Sequence, residues 1–337
     1  MRPAALMGTL LFPPRPRIVN TLHYPRRPQW VSRVHMIESE RLSRTGVVRE
    51  LVAEAGRCDA IILDGSIGIR AGNPDLAAAA IIARRRTRPG VILAECNWKP
   101  GSSLDRLVRR VGMRLIDRAV SLYCVVSSYE KEAFPTTWGI DPERVVYTPF
   151  YYTLSEEELA SGTSEGGGIF AGGNPMRDYG TLIDAARGLE VPVTIATSRP
   201  EVVGRADLPE TVAAGRIPHD EYVSRLRAAD VVAVPLQAGT LRSGGEQTYL
   251  NAMALGKIVV VSDSPGARDY IEPGVTGLIV PPADAEALRA AIVWALDPDH
   301  REETRRMGAA AREAAHTRFG PDAWVDTLLE LGERVGR

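Results

Sequence analysis

Short apolar runs alternate with stretches whose apolar residues recur at helical spacing through most of the chain. "CDAIILDG", "GVILAECNW" and "SLYCVVSS" read as strands covered on both faces, because their apolar runs are continuous rather than alternating. Between them, "PDLAAAAIIARRR" reads as a helix with Pro74 near its start. "SLDRLVRRVGMRLIDR" is helical too, with Leu104, Leu107, Val108, Val111 and Leu115 on one face. That face is expected to enter the core and to leave the arginines solvated. "TLSEEELASGTSEGGG" is polar, small and glycine-rich, and reads as a linker. After it the alternation restarts with "GIFAGG", "DYGTLIDAARGL", "VPVTIAT", "HDEYVSRLRAA", "DVVAVPL" and "GLIVPP". The fold class expected is α/β, with two Rossmann-like, doubly wound units facing a central cleft. The boundaries expected are 1–152 for the first domain, 153–168 for the linker and 169–320 for the second domain. A closing helix, 321–337, is expected to pack back towards the first.

Composition narrows the classes. The chain has 337 residues, 45% of them hydrophobic and 25% charged, as in an ordinary globular protein. It holds no apolar run approaching the roughly 20 residues that cross a bilayer. The opening "MRPAALMGTLLF" lacks a small-residue cleavage site and runs into "PPRPR", so it is read as mature sequence. Cys58, Cys96 and Cys124 are too widely spaced for a disulfide framework or metal cluster, which fits a reducing cytoplasm. The five histidines show no ligand spacing, so no metal site is expected. The net charge of −1 conceals an asymmetry: residues 1–150 hold 23 Lys and Arg against 14 Asp and Glu, the remainder 18 against 28. The halves, at +9 and −10, are expected to meet different partners, neither of them nucleic acid.

The stretch "LRSGGEQTYLNAMALGKIVVVSD", residues 241–263, carries the candidate chemistry. Ser243 and Glu246 have the spacing of a capping box, with Gly256 ending the helix that follows. A second use of the same turn is open. The first amides of a helix have no internal partner and carry about half a positive charge. With the side chains of Gly244 and Gly245 absent, a diphosphate could rest on the amides near Gly245, Glu246 and Gln247.

"LNAMALGKIVVVSD", "GARDYIEPGVTGLIVPPAD" and "GRIPHDEYVSRLRAADVVAVPL" together resemble the carboxyl half of retaining nucleotide-sugar glycosyltransferases of family 4, which have the GT-B fold. "DRAVSLYCVVSSYEKEAF" is similar to the segment that closes that family's first domain. The resemblance implies transfer of a sugar, with retention, from a UDP- or GDP-sugar to an acceptor hydroxyl, without a separate cofactor. The family places two glutamates around the glycine turn, and those positions are Ser243 and Asn251 here. Asn251 can still meet ribose hydroxyls, and Glu246 offers a carboxylate in another register. The family's basic pair falls on Gly172 and Arg177 in "FAGGNPMRDYGTL", and Arg177 would grip phosphate with a planar fork.

The catalytic residues implied are Arg177, Glu246 and Ser243. Gly173, Arg199, Gly244, Gly245, Gln247, Thr248 and Asn251 would bind donor. The acceptor would meet residues at strand ends of the first domain: Asp64 and Ser66, then Glu95, Asn97, Trp98 and Lys99. His23 and Tyr24 stand where the family has a glycine-rich loop. Two other readings stay open, a non-catalytic nucleotide-sugar-binding protein or partner subunit, and a sugar-nucleotide epimerase. NAD-dependent oxidoreduction is disfavoured, since no strand leads into G-x-G-x-x-G. The arginines from Arg84 to Arg118 also admit peripheral contact with an anionic membrane, at its cytoplasmic face.

Overall fold

The computed structural model describes residues 17–22, 27–66, 68, 72–99, 101–162 and 166–337. His23, Tyr24 and the apolar opening of the chain lie outside the described residues.

The first domain begins β1 (Ile18–Asn20), α1 (Pro28–Arg33), β2 (Val34–Met36), α2 (Arg44–Glu54), β3 (Ala60–Asp64) and α3 (Pro74–Ile82). It continues with β4 (Gly90–Ala94), α4 (Ser103–Ile116), β5 (Val120–Val125), α5 (Ser128–Trp138) and β6 (Val145–Tyr147). Its six strands are parallel, in the order β2-β1-β3-β4-β5-β6. The continuous apolar runs follow from that arrangement, since alternate residues enter different layers. Ile61, Leu63, Val91 and Leu93 pack on one side, while Ile62 and Ile92 pack on the other.

The second domain opens with α6 (Glu156–Ala160), β7 (Ile169–Gly172), α7 (Tyr179–Ala186), β8 (Val193–Ala196), α8 (Pro200–Val203) and β9 (Val212–Gly215). Then come α9 (His219–Ala228), β10 (Val231–Val234), α10 (Glu246–Ala254), β11 (Ile258–Ser262), α11 (Ala267–Tyr270) and β12 (Leu278–Val280). Three helices complete the chain: α12 (Ala285–Leu296), α13 (Arg301–Arg318) and α14 (Pro321–Val335). The six strands of this sheet are again parallel, in the order β12-β11-β10-β7-β8-β9. The chain builds outwards from β7 in one direction, then returns to lay β10 on its other side. At such a reversal the loops leaving two neighbouring strands diverge, and a crevice opens beyond their carboxyl ends. Helix α14 returns to the first domain, where Trp324, Leu328 and Leu329 pack with Ile18, Ile62 and Trp30.

One expectation gains detail and one is corrected. Within the stretch 153–168 the acidic run forms α6, because Ser155 and Glu158 make a complete capping box. Acidic side chains suit the positive end of a helix. On α4, Leu104, Leu107, Val111 and Leu115 face solvent, and Met113 and Ile116 enter the core instead. Helical spacing gathered those residues on one side without saying which side faces inwards. The side chain of Val108 lies outside the described residues.

Candidate functional site

A cavity of about 610 Å³ lies between the domains, at the β7–β10 crevice. Its walls include Gly173 and Arg177 from the loop after β7, residues 242–248 from the turn into α10, and Glu95 and Asn97 from the loop after β4. The turn into α10 is built by glycine. Gly245 caps the helix with φ 94°, and a Cβ there would lie 2.9 Å from Val234 Cγ1. An L-residue in this backbone conformation is strained by roughly 1–2 kcal/mol. The capping box expected of Ser243 and Glu246 does not form: Gly245 takes the cap position with no side-chain cap bond, and the Ser243 hydroxyl donates to Glu130. The amides of Gly244, Gly245, Glu246 and Gln247 find no carbonyl partner among the described residues; the first backbone bonds of the turn come from Thr248 and Tyr249, both to the Gly245 carbonyl. All four residues line the cavity, and amides without a carbonyl partner at a helix start are what an anion site requires.

Arg177 supplies a fixed positive charge beside them. Its guanidinium is buried, donating to the carbonyls of Gly172 and Pro175 at 2.9 and 3.2 Å and to the Thr248 hydroxyl at 3.0 Å. Gly173, with φ 105°, makes this approach possible, since a Cβ there would lie 2.8 Å from an Arg177 nitrogen. Gly172 is filled in a different way: the ring of Tyr222 packs where a side chain would stand. Met176, with φ 57°, lays its methyl group over Gly244. Arg199 is not among the residues lining the cavity; it pairs with Glu201 at 2.6 Å and donates to the Arg177 carbonyl.

Ser243 is held by the opposite domain. Its hydroxyl donates to Glu130 Oε2 at 3.2 Å, its amide reaches Glu130 Oε1 at 3.4 Å, and Asn97 donates to its carbonyl at 3.2 Å. Arg242 returns a bond to the Asn97 carbonyl at 3.0 Å. Glu130, at the start of α5, has no part in the sequence reading, and nothing in the "SSYEKEAF" spacing announces a partner 113 residues away. Burial, then the nearby Glu246 carboxylate, raises its pKa from 4.5 to about 7. Glu246 is itself buried, its carboxyl is raised mainly by burial, and its Oε1 has no hydrogen-bond partner. Glu95 is the third perturbed carboxyl. Burial, then Asp64, raises it to about 7, and its backbone holds φ 57° at the end of β4.

The remaining candidates divide. Asn251 lines the cavity, but its amide group is engaged with Thr153, whose N–H it accepts at 2.7 Å. Gln247 donates to the same threonine at 3.0 Å. Ser66 reaches the cavity wall, whereas Asp64 accepts the Ser66 N–H at 2.8 Å behind it. Trp98 is a core residue, 5.1 Å from Phe134 and 5.6 Å from Trp138 between ring centroids. Lys99 is absent from the lining. A second cavity, about 630 Å³, adjoins the first through Glu95, Phe150, Thr153, Leu154 and Gln247. Among the described residues no cluster of His, Cys, Asp and Glu is arranged to hold a metal ion, and no helix is long and apolar enough to cross a membrane.

Residues 208–314 match the family model described as glycosyl transferases group 1, a span that contains the glycine turn and α10. No curated protein sequence matches the chain. Among solved structures, Anabaena HepE in complex with UDP-glucose is similar with a TM-score of 0.67 and 18% identity, over 94% of this chain and 99% of that one. Sucrose-phosphate synthase from Thermosynechococcus elongatus gives 0.62 and 19%, over 89% and 80%. A glycosyltransferase from Rickettsia africae gives 0.63 and 14%, over 90% and 85%. These likenesses show a common fold, the GT-B pairing of two Rossmann-like domains.

Proposed function

We propose that the chain is a glycosyltransferase that moves a sugar from a nucleoside-diphosphate sugar to an acceptor hydroxyl, with retention at the anomeric carbon. One observation carries the reading: residues 244–247, whose amides have no carbonyl partner among the described residues, line the same cleft as the buried Arg177. The matching family model and the UDP-glucose bound by HepE support a nucleotide sugar, UDP- or GDP-linked, as donor.

The chemistry asked of such a site is electrostatic. When the bond from the anomeric carbon to the phosphate oxygen breaks, negative charge grows on the departing diphosphate. Amides already aimed at that position, with a guanidinium that cannot lose its proton, stabilise the charge without reorganising. With retention, the incoming hydroxyl approaches the face from which the diphosphate leaves, and a phosphate oxygen takes its proton. Ser243 and Asn251 then serve by holding the turn and α10 to their neighbours, and Glu246 brings to the helix mouth a buried carboxyl whose Oε1 has no hydrogen-bond partner.

Incubation with a panel of UDP- and GDP-sugars and hydroxyl acceptors tests the reading. Release of nucleotide together with a new glycoside is expected. Donor binding with no transfer to any acceptor would make this a binding protein, and a changed sugar nucleotide alone would make it an epimerase. Proton NMR of the product reads the anomeric configuration, and an inverted linkage contradicts retention. Arg177→Ala is expected to lower turnover about 10²-fold, with folding checked by circular dichroism.

A further inference from the structure

Helix α4 wears its apolar face outwards. Leu104, Leu107, Val111 and Leu115 are 72%, 60%, 52% and 57% exposed, while Met113 on the other side is buried. At 3.6 residues per turn the four exposed side chains fall within roughly 80° of arc, and Met113 stands about opposite them. Arg110 and Arg114, both exposed, flank one border of the stripe, within roughly 60° of it. Arg118, just past the helix, is exposed as well. Arg110 is braced there by the carbonyls of Thr136 and Thr137, at 2.6 and 2.8 Å. A continuous run of large apolar side chains held in water marks a contact surface.

We propose that this face of α4 seats the protein on an anionic lipid surface. The charge selects the occupant. A second copy of the chain would bring the same arginines against these ones, within a first half that carries +9. Lipid phosphates complement them, and each basic side chain near such a surface adds to binding. A helix with this section lies flat, its Leu and Val side chains among the upper acyl carbons and its arginines reaching headgroups. The consequence for substrate follows from position, and it rests on the transferase reading above. The segment that leads into α4 contributes Glu95 and Asn97 to the cavity wall, so a seated helix holds the cleft beside the bilayer. The acceptor class this favours is an amphiphile whose hydroxyl stands at the membrane surface.

The test is vesicle flotation of the full chain, which needs no activity. Vesicles of phosphatidylcholine with phosphatidylglycerol are expected to carry the protein at low salt, and vesicles of phosphatidylcholine alone to carry much less. Leu107→Glu with Leu115→Glu is expected to reduce binding at least tenfold, and Arg114→Glu about fivefold or more. Both variants are expected to melt at the wild-type temperature, because the altered side chains touch no core. The proposal is overturned if the wild type stays with the unbound fraction, or if the double variant floats as well as the wild type. It is also overturned if that variant loses folding stability, which would mean another part of the chain covers the stripe. Light scattering supplies a further check: a dimer that the double variant dissociates would assign the face to a second copy. Vesicle binding without glycosyl transfer would refute the transferase reading and leave the surface proposal standing.

Discussion

At the scale of single residues, the cleft is defined by carboxyls placed where charge is costly. Glu130 and Glu246 are both buried, and the Glu246 carboxyl adds to the burial that disfavours ionisation of Glu130. A carboxyl whose pKa rises on folding makes the folded state bind more protons than the unfolded chain. For Glu130 this applies between its ordinary 4.5 and about 7, so stability falls as pH climbs through that window and stays low above it. Full ionisation costs roughly 3 kcal/mol on that account. Glu130→Gln keeps a hydrogen-bonding side chain toward Ser243 and removes the titration. Urea melts from pH 5 to 8 should therefore show a shallower decline for the variant than for the wild type. Equal slopes would mean that Glu130 ionises freely. The residue was not legible in advance, because its role depends on Ser243 in the other domain. Trp98 misled for the opposite reason: an aromatic at a strand end suits a sugar platform and a core alike, and here Phe134 and Trp138 claim it.

Secondary-structure elements were far more readable. Strands covered on both faces leave continuous Val, Ile and Leu runs, and β3, β4, β10 and β11 lie where those runs stand. The glycine turn was legible as the start of a helix, but its cap was not. Ser243 has the right spacing for a cap, yet Gly245 takes that place with a φ of 94°, and Ser243 is bound to Glu130 instead. Gly245→Ala is expected to destabilise the fold by about 1–2 kcal/mol in a urea melt. It should also weaken UDP binding measured by calorimetry, since the amides it aims would shift. A variant with unchanged melt and affinity would remove the turn from the account. Helix α4 shows the limit of periodicity: the spacing fixed which side chains share a face, and only the packing of Met113 and Ile116 decided that the face looks outwards.

For the whole molecule, the two sheets meet through contacts that the halves cannot make alone. Beyond Glu130 and Ser243, Asp269 accepts from the Ser128 amide and hydroxyl at 2.7 and 2.6 Å, and the Tyr270 hydroxyl donates to the Val126 carbonyl. The glycine turn is thus braced from across the cleft, so a nucleotide bound there, as proposed, should stabilise the assembled pair of domains. UDP at 100 times its dissociation constant is expected to raise stability by about 2.7 kcal/mol, visible as a higher melting temperature. The most direct measurement is a crystal structure of the chain with UDP. Diphosphate oxygens within hydrogen-bonding distance of the amides at residues 245–247, with the Met176 methyl group moved off Gly244, is the predicted result. A nucleotide bound elsewhere, or Met176 still lying over Gly244 with no phosphate at the helix mouth, would contradict it.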